Sequence, residues 1–131
     1  MIHYIDTSAY LKLFIEEPES AALSRQLELG RLAGHRVVSS VLLETELYRA
    51  GHRYGLDRQT IDDEVGKVTI ISATDTTFRR AGAFPEPLLR SLDALHLATA
   101  IECGAGAIYT YDRRQAAAAG YVGIDVISPV D

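Results

Sequence analysis

Four carboxylates in this sequence stand where an acid is either costly or well placed for chemistry. Asp93 lies in Ser91-Leu92-Asp93-Ala94-Leu95-His96-Leu97-Ala98-Thr99-Ala100, a stretch that reads as a helix and is otherwise almost wholly apolar. At roughly 100° per residue, Leu97, Ala100 and Ile101 fall close to its direction, as does Leu89 if the helix starts early. A carboxylate in an apolar wall is costly unless it is paired, protonated or bound to a metal. The alternative is a first-turn aspartate at the positive end of its helix, with Ser91 as the cap. Asp6 and Asp112 each follow an apolar strand candidate directly and each begins a helix. Beyond the carboxyl ends of parallel strands is where open sheets place their ligands. A bland N-cap is the alternative for both. In Ser40-Val41-Leu42-Leu43-Glu44-Thr45-Glu46-Leu47-Tyr48-Arg49-Ala50, Leu42, Leu43, Leu47 and Ala50 define the apolar face of a helix. Glu46 lies inside that arc and needs a partner, a site or a salt bridge to Arg49 or Arg90. Glu44 lies outside it with Tyr48 and reads as an ordinary solvated acid.

Close carboxylates repel and raise one another's pKa unless a cation intervenes. Hard oxygen ligands suit Mg²⁺ or Mn²⁺, and such a site activates water and neutralises charge on a phosphoryl group. The acids therefore point to metal-dependent phosphoester chemistry. Other phosphate-handling designs fit worse. There is no GxxxxGK[ST] loop, no GxGxxG after a strand and no GxSxG elbow. Asp6-Thr7-Ser8 lacks the second aspartate of a phosphatase DxD motif, and the paired acids of a phospho-accepting receiver domain are missing near the first strand. The four histidines show no HExxH or HxH spacing, and the single Cys103 excludes a disulfide or a Cys-rich zinc site.

The elements that must carry these acids alternate. Strands are expected at 2–5, 37–39, 67–71, 107–111 and within 122–127. Between them, helices are expected from Tyr10 to Ile15, from Pro18-Glu19-Ser20 to near Gly30 and Gly34, and from Val41 to about His52, the last capped by Ser39 or Ser40 and closed by Gly51 and Gly55. Further helices are expected from Leu56 to Gly66 with Asp57 as cap, from Ala73 through Phe78 and Ala81, over the Asp93 stretch to Gly104, and from Arg113 to Ala119 with Gly120 as the C′ stop. Gly82-Ala83-Phe84-Pro85-Glu86-Pro87 reads as irregular. The alternation predicts an α/β fold, a three-layer α/β/α sandwich on a mainly parallel central sheet, as a single domain over 1–131.

The 131 residues are 47% hydrophobic and 24% charged, with a net charge of −5, ordinary for a globular domain with a real core. The acidic balance disfavours nucleic-acid binding by bulk electrostatics but permits a local basic strip. No signal peptide or membrane-length apolar run of about 18 residues is visible, so a cytoplasmic location without membrane contact is the default. Leu11, Leu13, Phe14, Leu23 and Leu27 are more apolar positions than two short helices need for one sheet face. Ordinary core packing and a partner contact both account for them.

Four segments, in order and spread over nearly the whole length, resemble the PIN-domain ribonucleases, most closely the VapC-type toxins of toxin–antitoxin pairs. They are Tyr4-Ile5-Asp6-Thr7-Ser8-Ala9, Ser39-Ser40 followed by Glu46-Leu47-x-Arg49-Ala50, Asp93-Ala94-Leu95-His96-Leu97-Ala98-Thr99-Ala100, and Thr110-Tyr111-Asp112 with Ala116–Gly120, Val126 and Pro129. The resemblance implies a homodimeric, Mg²⁺- or Mn²⁺-dependent endoribonuclease blocked by a small VapB-like antitoxin, with DNA reached only indirectly through that antitoxin. Asp6, Glu46, Asp93 and Asp112 would be its catalytic, metal-holding quartet, with Ser8 and Thr110 as supporting hydroxyls. Asp6 and Asp93 would hold the main ion, Glu46 would orient or deprotonate the attacking water, and Asp112 would complete the site. His96 matches a common family residue and reads as structural. Gln115 departs from the pattern, which expects an apolar residue there. Arg49, Arg53, Arg113 and Arg114 lie within a turn or two of the acids and are candidates for RNA phosphates. A non-catalytic RNA-binding or scaffold module, or a processing nuclease with no antitoxin, are the alternatives.

Overall fold

The computed structural model describes residues 1–85 and 89–131. Strands β1 (Ile2–Ile5), β2 (Arg36–Ser40), β3 (Thr69–Ile71), β4 (Ala107–Tyr109) and β5 (Asp125–Ile127) form one sheet in the order β3-β2-β1-β4-β5. Every strand pair is parallel. The connecting helices are α1 (Thr7–Tyr10), α2 (Ser20–Leu32), α3 (Leu42–Tyr54), α4 (Arg58–Val65), α5 (Asp75–Gly82), α6 (Ser91–Glu102) and α7 (Arg113–Tyr121), with a 3₁₀ turn at Leu11–Leu13.

The three layers follow from strand alternation, because successive side chains point to opposite faces. Tyr4 pairs in register with Val38 and Ile108, and all three join one core with Ala94, Leu95, Leu97, Ala98 and Ala100 of α6. Their neighbours Ile5, Val37 and Tyr109 join the other core, with Leu23 and Leu27 of α2 and Leu43 and Leu47 of α3. Helix α6 is buried without a break from Ala94 to Ala100, and each fully buried leucine there contributes about 1.5–3 kcal/mol.

The chain leaves β1 toward β2 and β3 on one side, then crosses back to β4 and β5 on the other. The strand order therefore reverses between β1 and β4. Helical connections diverge there and leave a crevice beyond the carboxyl ends of the two strands. Ile5 pairs with Tyr109 and the Asp6 amide donates to the Tyr109 carbonyl at 3.1 Å, so Asp6 and Thr110 emerge side by side.

Several boundaries differ from expectation. The first helix starts at Thr7 and has become a 3₁₀ turn by Leu11, because Asp6 already caps it. Gly30 and Gly51 lie inside helices, and Gly55 alone closes α3, with φ at 68°. Helix α7 runs through Gly120 to Tyr121, and the left-handed residue beyond its end is Gly123, φ 82°. Ser91 is the first helical residue of α6 rather than its cap, and Arg90 precedes it with no capping side chain. At α3 the cap position is Val41, although the Leu42 amide reaches back to Ser40 Oγ at 3.1 Å. Asp57 and Thr74 cap α4 and α5 through their side chains. Of the expected irregular stretch 82–87, residues 86 and 87 lie outside the described residues. Leu23 and Leu27 are core, Leu11, Leu13 and Phe14 pack partly buried against it, and Leu29 and Leu32 are exposed. Cys103 is a free thiol, partly buried against the core at the end of α6.

At the opposite end of β1, His3 stacks on His35 with ring centroids 4.2 Å apart, and neither Nδ1 has a partner among the described residues. Burial, then the His35 charge, then the N-terminal amine hold the His3 imidazole below its ordinary value. A depressed imidazole contributes stability that is present above the unfolded value near 6.5 and is lost as pH falls toward the folded value. The midpoint of thermal unfolding is therefore expected to fall as pH drops below about 6.5. His35→Gln should flatten that slope, and equal slopes in the two proteins would remove the pair as its source.

Candidate active site

Asp6 is only 2% exposed. Its Oδ1 accepts from the Ser8 hydroxyl at 2.7 Å and from the Ala9 amide at 3.1 Å, and its Oδ2 accepts from the Thr110 hydroxyl at 2.5 Å. Ser8 Oγ in turn accepts from the Tyr111 amide at 3.0 Å, and Thr110 Oγ1 from the Asp112 amide at 3.1 Å. Two hydroxyls thus clamp the loops after β1 and β4 together around one buried carboxylate. Burial pushes the Asp6 carboxyl above the ordinary aspartate value, against the pull of the Thr110 and Ser8 hydroxyls. Asp6 also caps α1, so its capping and site roles coexist.

Asp112 caps α7 through the Gln115 amide at 3.0 Å. Gln115 itself is fully buried, and its side-chain amide donates to the Asp93 carbonyl at 3.1 Å. This residue, out of place in the sequence pattern, ties the start of α6 to the start of α7 and so sets Asp93 near Asp112. Asp93 sits half-buried in the first turn of α6, and no hydrogen bond to its carboxylate occurs among the described residues. Burial raises its carboxyl, and the charges of Asp112, Asp6 and Glu46 raise it further.

Glu46 faces the same region from α3. Its Oε1 accepts from the Thr7 hydroxyl at 2.7 Å and lies 2.6 Å from His96 Nε2. Its partner is therefore neither Arg49 nor Arg90, because α6 brings His96 to it across the sheet end. Burial would lift the Glu46 carboxyl, but the hydrogen bonds from His96 and Thr7 hold it below the ordinary value. Glu44 is partly buried and enters none of the described ion pairs.

All four acids thus gather at the switch point, with Ser8 and Thr110 as the hydroxyl supports of Asp6. Thr7, His96, Tyr4 and Gln115 are the site residues that sequence reasoning missed or left as structural. A signal existed for His96, which stands three residues after Asp93 and so shares its helix face. Arg49 and Arg53 are exposed, one turn apart on α3, and line an open groove of about 290 Å³ that begins at Thr7 and Glu46. Leu11, Leu42 and Leu92 give that groove an apolar floor. Arg113 and Arg114 are exposed at the start of α7, beside Asp112. None of the four arginines is ion-paired among the described residues.

The acids do not form a closed ligand set: among the described residues no three His, Cys, Asp or Glu groups converge tightly enough to hold an ion. Their chemistry nevertheless fits a hard divalent cation. Asp93 keeps both carboxylate oxygens free of hydrogen bonds among the described residues and carries the field of the neighbouring acids. An open, all-oxygen set is what Mg²⁺ uses when it keeps several waters and takes one or two carboxylates directly.

The PIN domain family model matches residues 3–121. Ribonuclease VapC46 of Mycobacterium tuberculosis is 37% identical over 133 residues, with 96% of each chain covered. Two solved structures share the fold at low identity. A toxin–antitoxin complex from Klebsiella pneumoniae matches with a TM-score of 0.73 at 21% identity, covering 98% of each chain. VapBC2 from Rickettsia felis, bound to a DNA fragment from its promoter, matches at 0.75 and 15% identity, covering 98% of this chain and 99% of that one. With the matched model spanning most of the chain and its acids gathered where β1 and β4 diverge, this chain belongs to the PIN-domain family and, within it, to the VapC proteins.

Proposed function

We propose that this chain is a metal-dependent endoribonuclease toxin held in check by a small antitoxin. The observation that carries the catalytic part is the convergence of Asp6, Glu46, Asp93 and Asp112 at the sheet's switch point, with Asp6 clamped by two hydroxyls. The ribonuclease name of a relative 37% identical supports RNA as the substrate. The toxin–antitoxin complexes that share the fold support an antitoxin partner. A homodimer, and contact with DNA only through the antitoxin, complete the reading. No helix among the described residues is long and apolar enough to cross a membrane.

Asp6 and Asp93 would hold Mg²⁺ or Mn²⁺, and Asp112 would complete the set. When bound, the ion supplies Lewis-acid stabilisation of charge on the scissile phosphate and lowers the pKa of water. Glu46 stays ionised and presents an acceptor, which suits orienting a water for in-line attack more than storing its proton. Ser8 and Thr110 keep Asp6 from turning away. The groove at Arg49 and Arg53 leads from Glu46, so RNA phosphates flanking the cut would lie against these arginines.

The test is cleavage of structured and single-stranded RNAs by antitoxin-free protein with Mg²⁺, Mn²⁺ or EDTA. Cutting that stops in EDTA and returns with either ion is expected. Full-rate cutting in EDTA would overturn the metal assignment, and no cutting of any RNA by folded, ion-supplied protein would favour the scaffold reading.

Neutralising Arg49 and Arg53 together is expected to weaken RNA binding and to lower the slope of log affinity against log salt by about 1.4 for single-stranded RNA. An unchanged slope would take the groove out of the substrate path. Arg113 and Arg114 are tested in the same way.

A further inference from the structure

We propose that His96 is a positioning residue for Glu46, locked in its Nε2–H tautomer by a hydrogen-bond chain that begins at a backbone amide of β2. The effect on rate rests on the nuclease reading above; the chain itself does not.

The chain has a fixed polarity. The Ser40 amide donates to Tyr4 Oη at 3.1 Å. An amide only donates, so the phenol oxygen is the acceptor there and its own proton is available to the next link. Tyr4 Oη stands 2.5 Å from His96 Nδ1, and burial keeps this phenol protonated far above its ordinary range. His96 Nδ1 is therefore the acceptor, which places the ring proton on Nε2. Nε2 stands 2.6 Å from Glu46 Oε1, and a carboxylate only accepts. Each link carries one proton, in one direction. An imidazolium would put a second proton into the 2.5 Å gap between Nδ1 and the phenol oxygen.

The far end of the chain selects one oxygen of Glu46. Oε1 accepts from both His96 and Thr7, whose hydroxyl also lies 3.2 Å from Nε2. Oε1 is thereby saturated, and Oε2 is left free to meet a water. His96 is 1% exposed and stands one turn beyond Asp93 on α6. A single rigid helix thus supplies one acid of the site and fixes the orientation of another. Tyr4 pins the ring against rotation, since its own oxygen is tied to the β2 backbone. Outer partners of this kind typically change activity or metal affinity by about 10- to 100-fold when removed.

The experiment combines ¹⁵N NMR of the histidine rings with single-turnover RNA cleavage by wild type, His96→Leu and His96→Gln, each checked for folding by circular dichroism. The wild-type spectrum is expected to show the His96 ring proton on Nε2, with Nδ1 as a hydrogen-bond acceptor. His96→Leu should lose about 10- to 100-fold in rate at an unchanged KM for RNA. His96→Gln, whose amide nitrogen can take the place of Nε2, should recover most of it. A proton on Nδ1, a wild-type rate in His96→Leu, or equal losses in the two variants would each overturn the proposal. If the wild type cuts no RNA, the nuclease reading fails, and the spectrum, recorded without RNA, still decides whether the chain exists.

Discussion

Asp6→Asn is expected to lower RNA cleavage by at least about 10²-fold, the usual cost of removing a group that acts at the reacting centre, and to leave the protein as stable or more stable. The first effect follows from charge. Asparagine keeps the shape but cannot hold a divalent cation with a full negative oxygen. The second follows from burial. Every hydrogen bond around Asp6 has a substitute in the variant. Its carbonyl oxygen still accepts from Ser8 and Ala9, while its amide donates to Thr110 Oγ1, and Thr110 can turn its proton to Ser8 Oγ, 3.3 Å away. What disappears is a buried charge whose carboxyl is held above the ordinary value. For such a group the folded state binds the proton more tightly than the unfolded chain. Its destabilising effect is fully present above the folded value and fades as pH falls toward the unfolded value near 3.9. At neutral pH the wild type therefore carries that deficit and the variant does not. Single-turnover cleavage and the unfolding midpoint at pH 7 check both halves. Wild-type cleavage by Asp6→Asn would remove Asp6 from the reacting centre, and a large loss of stability would mean the hydroxyl clamp needs the carboxylate.

Mg²⁺ or Mn²⁺ is expected to raise the thermal midpoint at neutral pH by roughly 10 °C at a hundred times its Kd. Binding to the native state alone contributes about 2.7 kcal/mol at that excess, and a domain of this size shifts by roughly 3–5 °C per kcal/mol. The physical source is relief of repulsion. The charges of Asp112, Asp6 and Glu46 all push the Asp93 carboxyl up, and a cation among them removes the cost of keeping these groups ionised together. The gain should shrink at acid pH, where protons compete for the same oxygens. It should vanish in the double variant Asp6→Asn/Asp93→Asn. A scan with and without EDTA suffices; an unchanged midpoint at millimolar ion would count against these acids as the metal ligands. His3 acts in the same sense, since acid destabilises through it as well, but its contribution persists in EDTA, so the two separate by metal dependence.

The pKa directions also divide labour among the acids. Asp6 and Asp93 are pushed up and therefore favour a proton or a cation, whereas Glu46 is held down and stays an anion. Environments that drive neighbouring groups apart are how a site separates roles. Glu46 as the water-orienting acceptor, beside two aspartates that hold the ion, is the arrangement these directions favour.

The sequence by itself determined the layers and singled out the four acids as candidates, because both are written locally. Alternation in β1 and β2 and the unbroken apolar run of α6 each follow from a few consecutive residues, and an acid on an apolar face or at a strand end needs no knowledge of its neighbour. Asp57 and Thr74 were legible as helix starts for the same reason. Helix ends at Gly120 and Gly51 were misread, since a glycine stops a helix only where the backbone turns left-handed, and packing chose Gly123 and Gly55 for that turn. Only the tertiary structure decided what each acid meets. The strand order that sets Asp6 beside Thr110 comes from pairing β1 with β4, about a hundred residues apart in the chain. The sequence offers Glu46 a site role or a salt bridge to Arg49 or Arg90, and its partners are His96 and Thr7. Gln115 read as a departure and turned out to hold α6 to α7 through the Asp93 carbonyl. Side-chain chemistry is local, but hydrogen-bond partners and charge fields depend on distances in space, and those are fixed only when the sheet closes its crossover.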